Sequence, residues 1–332
     1  MARRGLAAGA GAVSRVRFAP SSNNLIVSSW DSGLRLYDVE ASTTRLEANS
    51  EAALLDCCFK DEFGAFAGAS DGSIMRYDLH SGAQDTVGLH DDVVVCTEFS
   101  QTTGQLVTSS LDKKLFFWDT NTRSVNPNST LMLDSVVASL SVCGMYIVVA
   151  VERDVYWYDM RNLTGPIKAK DSPLKHHIRC LHASEQWTGY AAGSMDGTVA
   201  LKYFDHEVDN DMGYTFRCHP RSRDGTSSLV PINSIAIHPF KETFVTGDNE
   251  GYAIIWDALS KKKLLEFPSY SGSVVSMAYN HSGQLLAVAS NCTHQGADRV
   301  MEVEGHQIYI ETMRSPTTMR KVSPLEPNNK SI

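Results

Sequence analysis

Apolar and polar residues alternate in short runs along most of the chain, and turn residues separate the runs. The clearest unit is residues 105–119, where β-branched, leucine and aromatic residues fill two runs on either side of a turn at Asp112. Short runs of this kind predict β-strands, and a tight Asp-containing turn between two of them predicts a hairpin. No stretch sustains the 3.6-residue period of an amphipathic helix, which disfavours an α/β enzyme. The chain is therefore predicted to be all-β.

The hairpin is one copy of a repeat. Each copy ends with an aromatic residue, or isoleucine in the last copy, followed by an acidic residue. By subtraction, the acidic residues stand 40 to 54 positions apart, at Asp38, Asp78, Asp119, Asp159, Asp205, Asp257 and Glu311. Alternating strands open the units at 16–18, 55–59, 94–99, 137–142, 178–182, 232–237 and 274–279. A repeat of this length with four strands per unit is typical of a β-propeller blade, so the sequence predicts a seven-bladed propeller.

The two ends of the chain differ from the repeats in composition. Residues 1–12 are rich in Ala and Gly, and we expect a flexible leader with a weak or missing outer strand. The propeller is predicted to occupy residues 13–313. Residues 314–332 are polar and interrupted by proline, which predicts a disordered C-terminal tail.

Overall composition narrows the functional classes. Of the 332 residues, 42% are hydrophobic and 20% charged, with a net charge of −8, as in an ordinary soluble globular protein. The acidic excess argues against direct binding to nucleic acid, whose affinity rests on neutralised phosphates. The longest apolar run, 142–151, is far shorter than the roughly 20 residues of a membrane-spanning helix. We therefore expect neither a nucleic-acid nor a membrane partner.

The third repeat contains a set of residues that bears two interpretations. His90 precedes its first strand, Ser109 or Ser110 ends the second, Asp112 lies in the turn and Trp118 lies on the third. Such a set can form one buried hydrogen-bonded chain, or His90 and Asp112 can be a catalytic dyad. Because the turn aspartate recurs from repeat to repeat, the structural interpretation is favoured.

Other candidate chemistry is sparse. His176, His177, Cys180 and His182 lie close in sequence, but their spacing fits no zinc pattern, and alternate strand positions face opposite sides. No Gly-rich phosphate loop or nucleophile motif stands outside the repeats. The chain is predicted not to be an enzyme and to need no cofactor or metal.

Segments 27–39, 55–59, 158–163, 172–180, 216–219 and 249–257 resemble one family, the Bub-type (budding uninhibited by benzimidazoles) mitotic-checkpoint WD-repeat proteins. The similarity spans all seven repeats. Lys175-x-x-x-Arg179-Cys and Phe216-x-Cys-His219 favour the Bub branch over the related Rae branch. The resemblance implies a non-enzymatic adaptor of the spindle-assembly checkpoint. It would act as a monomer within larger complexes, in the nucleus and at mitotic kinetochores and also in the cytoplasm.

The same resemblance implies the partners and the site. Family members bind a short Glu-containing segment, the GLEBS motif, of checkpoint kinases and related proteins, and phosphothreonine repeats of the kinetochore scaffold. Trp30, Arg179 and Arg217 match the family positions that bind these peptides. Guanidinium groups suit carboxylate and phosphate, and an exposed aromatic residue suits the apolar side chains of a peptide.

Accessory positions set this chain apart from the family. Lys175 adds a cation near Arg179, whereas Leu111 replaces a Trp and Thr198 replaces an Arg of the relatives, as in a divergent paralogue of plant type. Two other functions stay open: a Rae-type adaptor of mRNA export and nuclear pores, and a substrate receptor of a cullin ubiquitin ligase. The second rests on residues 158–161, which resemble a Trp-Asp-x-Arg box.

Overall fold

A computed structural model describes residues 3–122, 125–184, 189–203, 213–219, 229–292 and 305–313. These residues form strands and loops, and none of their segments is a helix long and apolar enough to span a membrane. The strands are β1 (Arg3–Ala7), β2 (Val13–Phe18), β3 (Asn24–Ser29), β4 (Gly33–Asp38), β5 (Thr43–Asn49), β6 (Leu54–Phe59), β7 (Gly64–Ala69), β8 (Ser73–Asp78), β9 (Gln84–Leu89), β10 (Val94–Phe99), β11 (Gln105–Ser110), β12 (Lys114–Asp119), β13 (Ser129–Met132), β14 (Val137–Cys143), β15 (Tyr146–Val151), β16 (Asp154–Asp159), β17 (Lys168–Asp171), β18 (Ile178–Ser184), β19 (Gly189–Ser194), β20 (Thr198–Tyr203), β21 (Gly213–Arg217), β22 (Ile232–Ile237), β23 (Thr243–Asp248), β24 (Ala253–Asp257), β25 (Lys263–Glu266), β26 (Ser273–Tyr279), β27 (Leu285–Asn291) and β28 (Gln307–Thr312).

The strands make seven antiparallel four-stranded sheets, which are the blades of a propeller. Blades 1 to 6 each use four consecutive strands, from β2–β5 in blade 1 to β22–β25 in blade 6. The first strands of successive blades contact each other around a closed ring, β2 with β6 and finally β26 with β2. The predicted seven-bladed fold is confirmed. The hairpin at 105–119 pairs Gln105 with Asp119, as its alternation requires.

Blade 7 is closed by the start of the chain. It consists of β26, β27, β28 and, as its outer strand, β1, whose residues Arg3 to Ala7 pair with Glu311 to Gln307. This differs from the expected flexible leader with a weak or missing outer strand. Although Arg, Gly and Ala have little preference for strands, the exposed edge of β28 supplies backbone partners. Residues 314–332, the predicted disordered tail, lie outside the described residues.

Apolar side chains are buried between the blades. Seven clusters of buried residues lie one at each junction between neighbouring blades, including the junction that closes the ring. Side chains of the inner strands also cross these junctions. The Met277 amide donates to Ser234 Oγ at 2.9 Å, and the Thr97 amide donates to Asp56 Oδ2 at 2.8 Å. The packing and these bonds fix the loops at both ends of the ring.

Candidate functional site

One face of the ring, here called the upper face, carries all six residues proposed from the sequence. We call the strands of each blade a to d from the channel outward. Because neighbouring strands are antiparallel, strands a and c begin, and b and d end, at this face. The positions are Trp30 and Leu111 in b–c turns, Thr198 at the start of a c strand, Arg217 at the end of a d strand, Arg179 near the start of an a strand and Lys175 in a d–a loop.

Trp30 lies in the b–c turn of blade 1 with 56% of its surface exposed. Its amide donates to Ala12 O at 2.9 Å, and the turn rests on the buried guanidinium of Arg35. Arg35 Nη2 donates to Asp31 Oδ2 at 2.7 Å, and Arg35 Nε donates to Glu47 Oε1 at 3.0 Å. Burial opposes ionisation of Asp31, but the bonds from Arg35, Ser29 and the Gly33 amide together outweigh it and hold the pKa of Asp31 well below its usual range. The turn that carries the exposed indole is therefore held in place by an ion pair.

Two further apolar side chains occupy the equivalent turn position. Leu111 precedes Asp112 in blade 3 and is 40% exposed, and Met195 precedes Asp196 in blade 5 and is 43% exposed. Trp30 precedes Asp31 in the same way. Met195 was not among the residues proposed from the sequence, although its position directly before a turn aspartate could have identified it. All three therefore project from the same turn position of the upper face.

Arg179 belongs to a ring of bulged residues at the upper end of the channel. In every blade the pairing of strands a and b skips one residue, which leaves an unpaired residue between two paired neighbours. The seven are Ser14, Leu55, Val95, Ala138, Arg179, Asn233 and Val275. Arg179 is the charged member, it is exposed, and it has no hydrogen bond or ion pair with any described residue. Within the described part of the chain, nothing competes with a ligand for its guanidinium.

Arg217 already forms contacts within its own blade. Arg217 lies opposite Thr198 in the register of β20 and β21, and its side chain is 41% exposed. Its Nη1 donates to Asp196 O at 2.8 Å and its Nη2 to Asp196 Oδ2 at 3.2 Å. Thr198 Oγ1 also donates to Asp196 Oδ2 at 3.0 Å. Two nitrogens of the Arg217 guanidinium are therefore engaged within blade 5. Lys175 lies exposed in the loop between β17 and β18.

The buried polar set of blade 3 is structural. His90 Nδ1 lies 2.9 Å from Asp112 Oδ2, and His90 Nε2 lies 2.9 Å from Thr108 Oγ1, which also accepts from Trp118 Nε1 at 2.9 Å. The hydroxyl is that of Thr108, not of the expected Ser109 or Ser110. Thr108 pairs with Phe116, on which the His90 ring stacks at 4.0 Å. Burial outweighs the nearby carboxylate and lowers the pKa of His90.

Blade 6 repeats this arrangement. His219 Nδ1 lies 2.7 Å from Asp248 Oδ2, and its Nε2 lies 2.8 Å from Thr246 Oγ1, which accepts from Trp256 Nε1 at 2.9 Å. His219 is 1% exposed, and Thr246 is fully buried. Both sets tie an upper-face loop to a blade interior, so neither is open to a substrate.

The box proposed for a cullin ligase lies on the opposite face, in the c–d connection of blade 4. Arg161 is 57% exposed, and its Nη2 is 2.5 Å from Asp159 Oδ2. The same arginine donates from Nε to Asp159 Oδ1 at 2.8 Å. Its guanidinium thus binds the aspartate of its own box.

Comparison with known proteins agrees with the propeller fold. The family described as WD domain, G-beta repeat matches residues 6–38, 84–119 and 212–257. A solved structure titled Structure of U3-55K superimposes with a TM-score of 0.80 at 18% identity, covering 94% of this chain and 98% of that one, which supports the fold.

Sequence relatives cover nearly the whole chain. The mitotic checkpoint protein BUB3.3 of Arabidopsis thaliana is 45% identical over 91% of this chain and 96% of its own length. BUB3.1 of the same plant is 38% identical over 88% of this chain and 87% of its own. The poly(A)+ RNA export protein of Schizosaccharomyces pombe is 31% identical over 83% of this chain and 80% of its own. The chain belongs to the Bub3-type family of WD-repeat proteins.

Proposed function

We propose that this protein is an adaptor of the spindle-assembly checkpoint whose upper face binds acidic GLEBS-type motifs and phosphothreonine peptides. The observation that carries the proposal is the combination on one face of the exposed guanidinium of Arg179, which has no partner among the described residues, with the exposed apolar side chains of Trp30, Leu111 and Met195. The partners are checkpoint kinases or related proteins with such motifs and a phosphorylated kinetochore scaffold. The protein would act in the nucleus, at the mitotic kinetochore and also in the cytoplasm.

Peptide chemistry fits this surface in two ways. Carboxylate and phosphate oxygens accept paired N–H bonds from a guanidinium, and such charge-assisted bonds are stronger than neutral ones. Large apolar side chains exposed on blades 1, 3 and 5 suit the apolar residues that flank the acids of a peptide. A peptide lying across the ring can meet both kinds of contact at once.

The two arginines should not contribute equally. Arg179 has no partner among the described residues, whereas Arg217 already donates twice to Asp196. A ligand anion near Arg217 would compete with the Asp196 carboxylate, which lies 3.2 Å from the guanidinium. We therefore expect Arg179 to be the main anion contact and Arg217 to position the turn of blade 5.

Calorimetric titration with one acidic GLEBS-type peptide and one phosphothreonine peptide tests the proposal. Arg179→Glu should weaken binding by about 2 to 5 kcal/mol, or roughly thirtyfold to several thousandfold, while circular dichroism stays unchanged. Arg217→Glu should weaken binding less. Arg45→Glu, an exposed arginine on the outer strand of blade 1, is the matched control and should have no effect. Equal affinities of wild type and Arg179→Glu would place the ligand elsewhere.

A second candidate is supported by the relative that is named as a poly(A)+ RNA export protein. In that case the upper face would bind a nucleoporin segment instead of a checkpoint kinase. Affinity purification from mitotic and from interphase cells separates the two functions. Recovery of checkpoint kinases and kinetochore scaffold supports the first, recovery of nucleoporins supports the second, and recovery of a cullin adaptor would contradict both.

A further inference from the structure

The opposite end of the channel, here called the lower opening, contains a cavity of about 300 Å³. It is bounded by the ends of the inner strands of blades 1, 5, 6 and 7 and by the loops that follow them. Pro20, Pro239 and Met277 provide apolar walls, and Arg17, His182 and Tyr279 provide polar groups. A volume of about 300 Å³ lies at the small end of the range of ligand pockets.

Two buried donors at this opening lack a partner. The Tyr279 hydroxyl and the Nε of Arg17 are both shielded from solvent, and neither forms a hydrogen bond in the described part of the chain. Arg17 Nη2 is ion-paired with Glu98 across the channel, which leaves the Nε edge unused. Buried polar groups in native proteins are nearly always hydrogen-bonded, and an exception calls for a missing partner such as a ligand or water.

The histidines add neutral donors. Burial and the nearby cations Arg17 and Arg15 lower the pKa of His182 to about 4, so its ring is neutral near pH 7. The Ile237 amide donates to His182 Nδ1 at 3.4 Å, which leaves Nε2 to carry the ring proton. His238 is likewise neutral, because burial and Lys241 lower its pKa to about 4. The two neutral imidazoles therefore line the same opening as the unpaired donors of Tyr279 and Arg17.

We propose that the lower opening binds a small anion whose carboxylate or phosphate oxygens accept from Tyr279 Oη and Arg17 Nε. The ligand supplies the acceptors that these donors lack. Because Glu98 and Asp56 already balance Arg17 and Arg15, hydrogen bonding sets the selectivity more than net charge does. The size of the cavity suits an anion such as citrate or a sugar phosphate. This site is separate from the upper face and does not depend on the proposed peptide binding.

Calorimetry on the full chain with citrate and with inorganic phosphate, at constant ionic strength, tests the proposal. Wild type should bind at least one probe saturably, and the probe that binds identifies the carboxylate or phosphate class. Tyr279→Phe removes only the unpaired hydroxyl, so the variant should fold as well as wild type and lose at least about tenfold in affinity. Phosphate stabilises many proteins without binding a site, so heats of binding are required besides melting shifts.

Two control variants decide between outcomes. Tyr309→Phe removes a hydroxyl at an exposed contact with Ser271 on the same blade and should leave the affinity unchanged. Arg179→Glu should also leave it unchanged, since that residue lies on the upper face. No saturable binding of either probe, equal affinity in wild type and Tyr279→Phe, or loss of binding only in Arg179→Glu would overturn the proposal. A clear drop in the melting midpoint of Tyr279→Phe without probe would also overturn it, because the hydroxyl would then have an internal partner.

Discussion

Leu6→Ala tests how the ring closes. Leu6 lies in β1 opposite Ile308 of β28, is 4% exposed and packs into the cluster between blades 7 and 1. Truncation of a buried leucine to alanine costs about 2 to 5 kcal/mol through lost burial and the cavity left behind. A domain has only about 5 to 15 kcal/mol of net stability, so this single change should remove a large part of it.

The expected shift in the melting midpoint follows from the size of the chain. An unfolding entropy of about 2.1 cal/mol/K per residue gives about 0.7 kcal/mol/K for a chain of this length. A loss of 2 to 5 kcal/mol therefore lowers the midpoint by about 3 to 7 °C. Thermal unfolding followed by circular dichroism, together with urea titration, measures both quantities.

Leu89→Ala is the matched control for Leu6→Ala. Leu89 also lies in an outer strand, β9 of blade 2, but it is 63% exposed, so its truncation should cost no more than about 0.5 kcal/mol. Removal of residues 2–8 should be more damaging than Leu6→Ala. It also takes Arg3 Nε away from Glu311 Oε1, 2.5 Å apart, and Glu311 is 2% exposed. Equal midpoints for the two leucine variants would refute closure by β1.

Two further outcomes follow from buried polar groups. Thr246→Val should cost about 1 to 3 kcal/mol in urea unfolding, because it leaves the indole N–H of Trp256 unpaired, and Thr246→Ser should recover most of the loss. Acid should destabilise the fold through His182 and His238, whose pKa values fall from 6.5 to about 4. The unfolded chain binds more protons between those values, so stability is full above about pH 6.5 and falls by up to about 3 kcal/mol per histidine as pH drops towards 4. Urea midpoints measured from pH 7 to 4.5 check this, and a flat profile in that window would contradict it.

The repeats made most of the fold predictable from the sequence. The period-two alternation and the turn aspartates are local signals, and the pairing of Gln105 with Asp119 follows from them. The closing strand was not predictable in the same way, because residues 3–7 have weak local preference for β-structure. Their pairing with residues 307–311 depends on the edge that the rest of the ring presents. Local propensity therefore failed where a contact distant in sequence decides the structure.

In the candidate site, too, the positions of some residues could be predicted from the sequence, whereas contacts that depend on strand pairing could not. The place of Trp30 and Leu111 on an exposed turn could be predicted, since each precedes a turn aspartate, and Met195 follows the same rule. The state of Arg217 could not be predicted, because it depends on the pairing of β20 with β21, which brings its guanidinium to Asp196. Two arginines that look equivalent in the sequence therefore differ in their bonds to the described residues, and donors that are not already bonded decide which arginine can take up an anion.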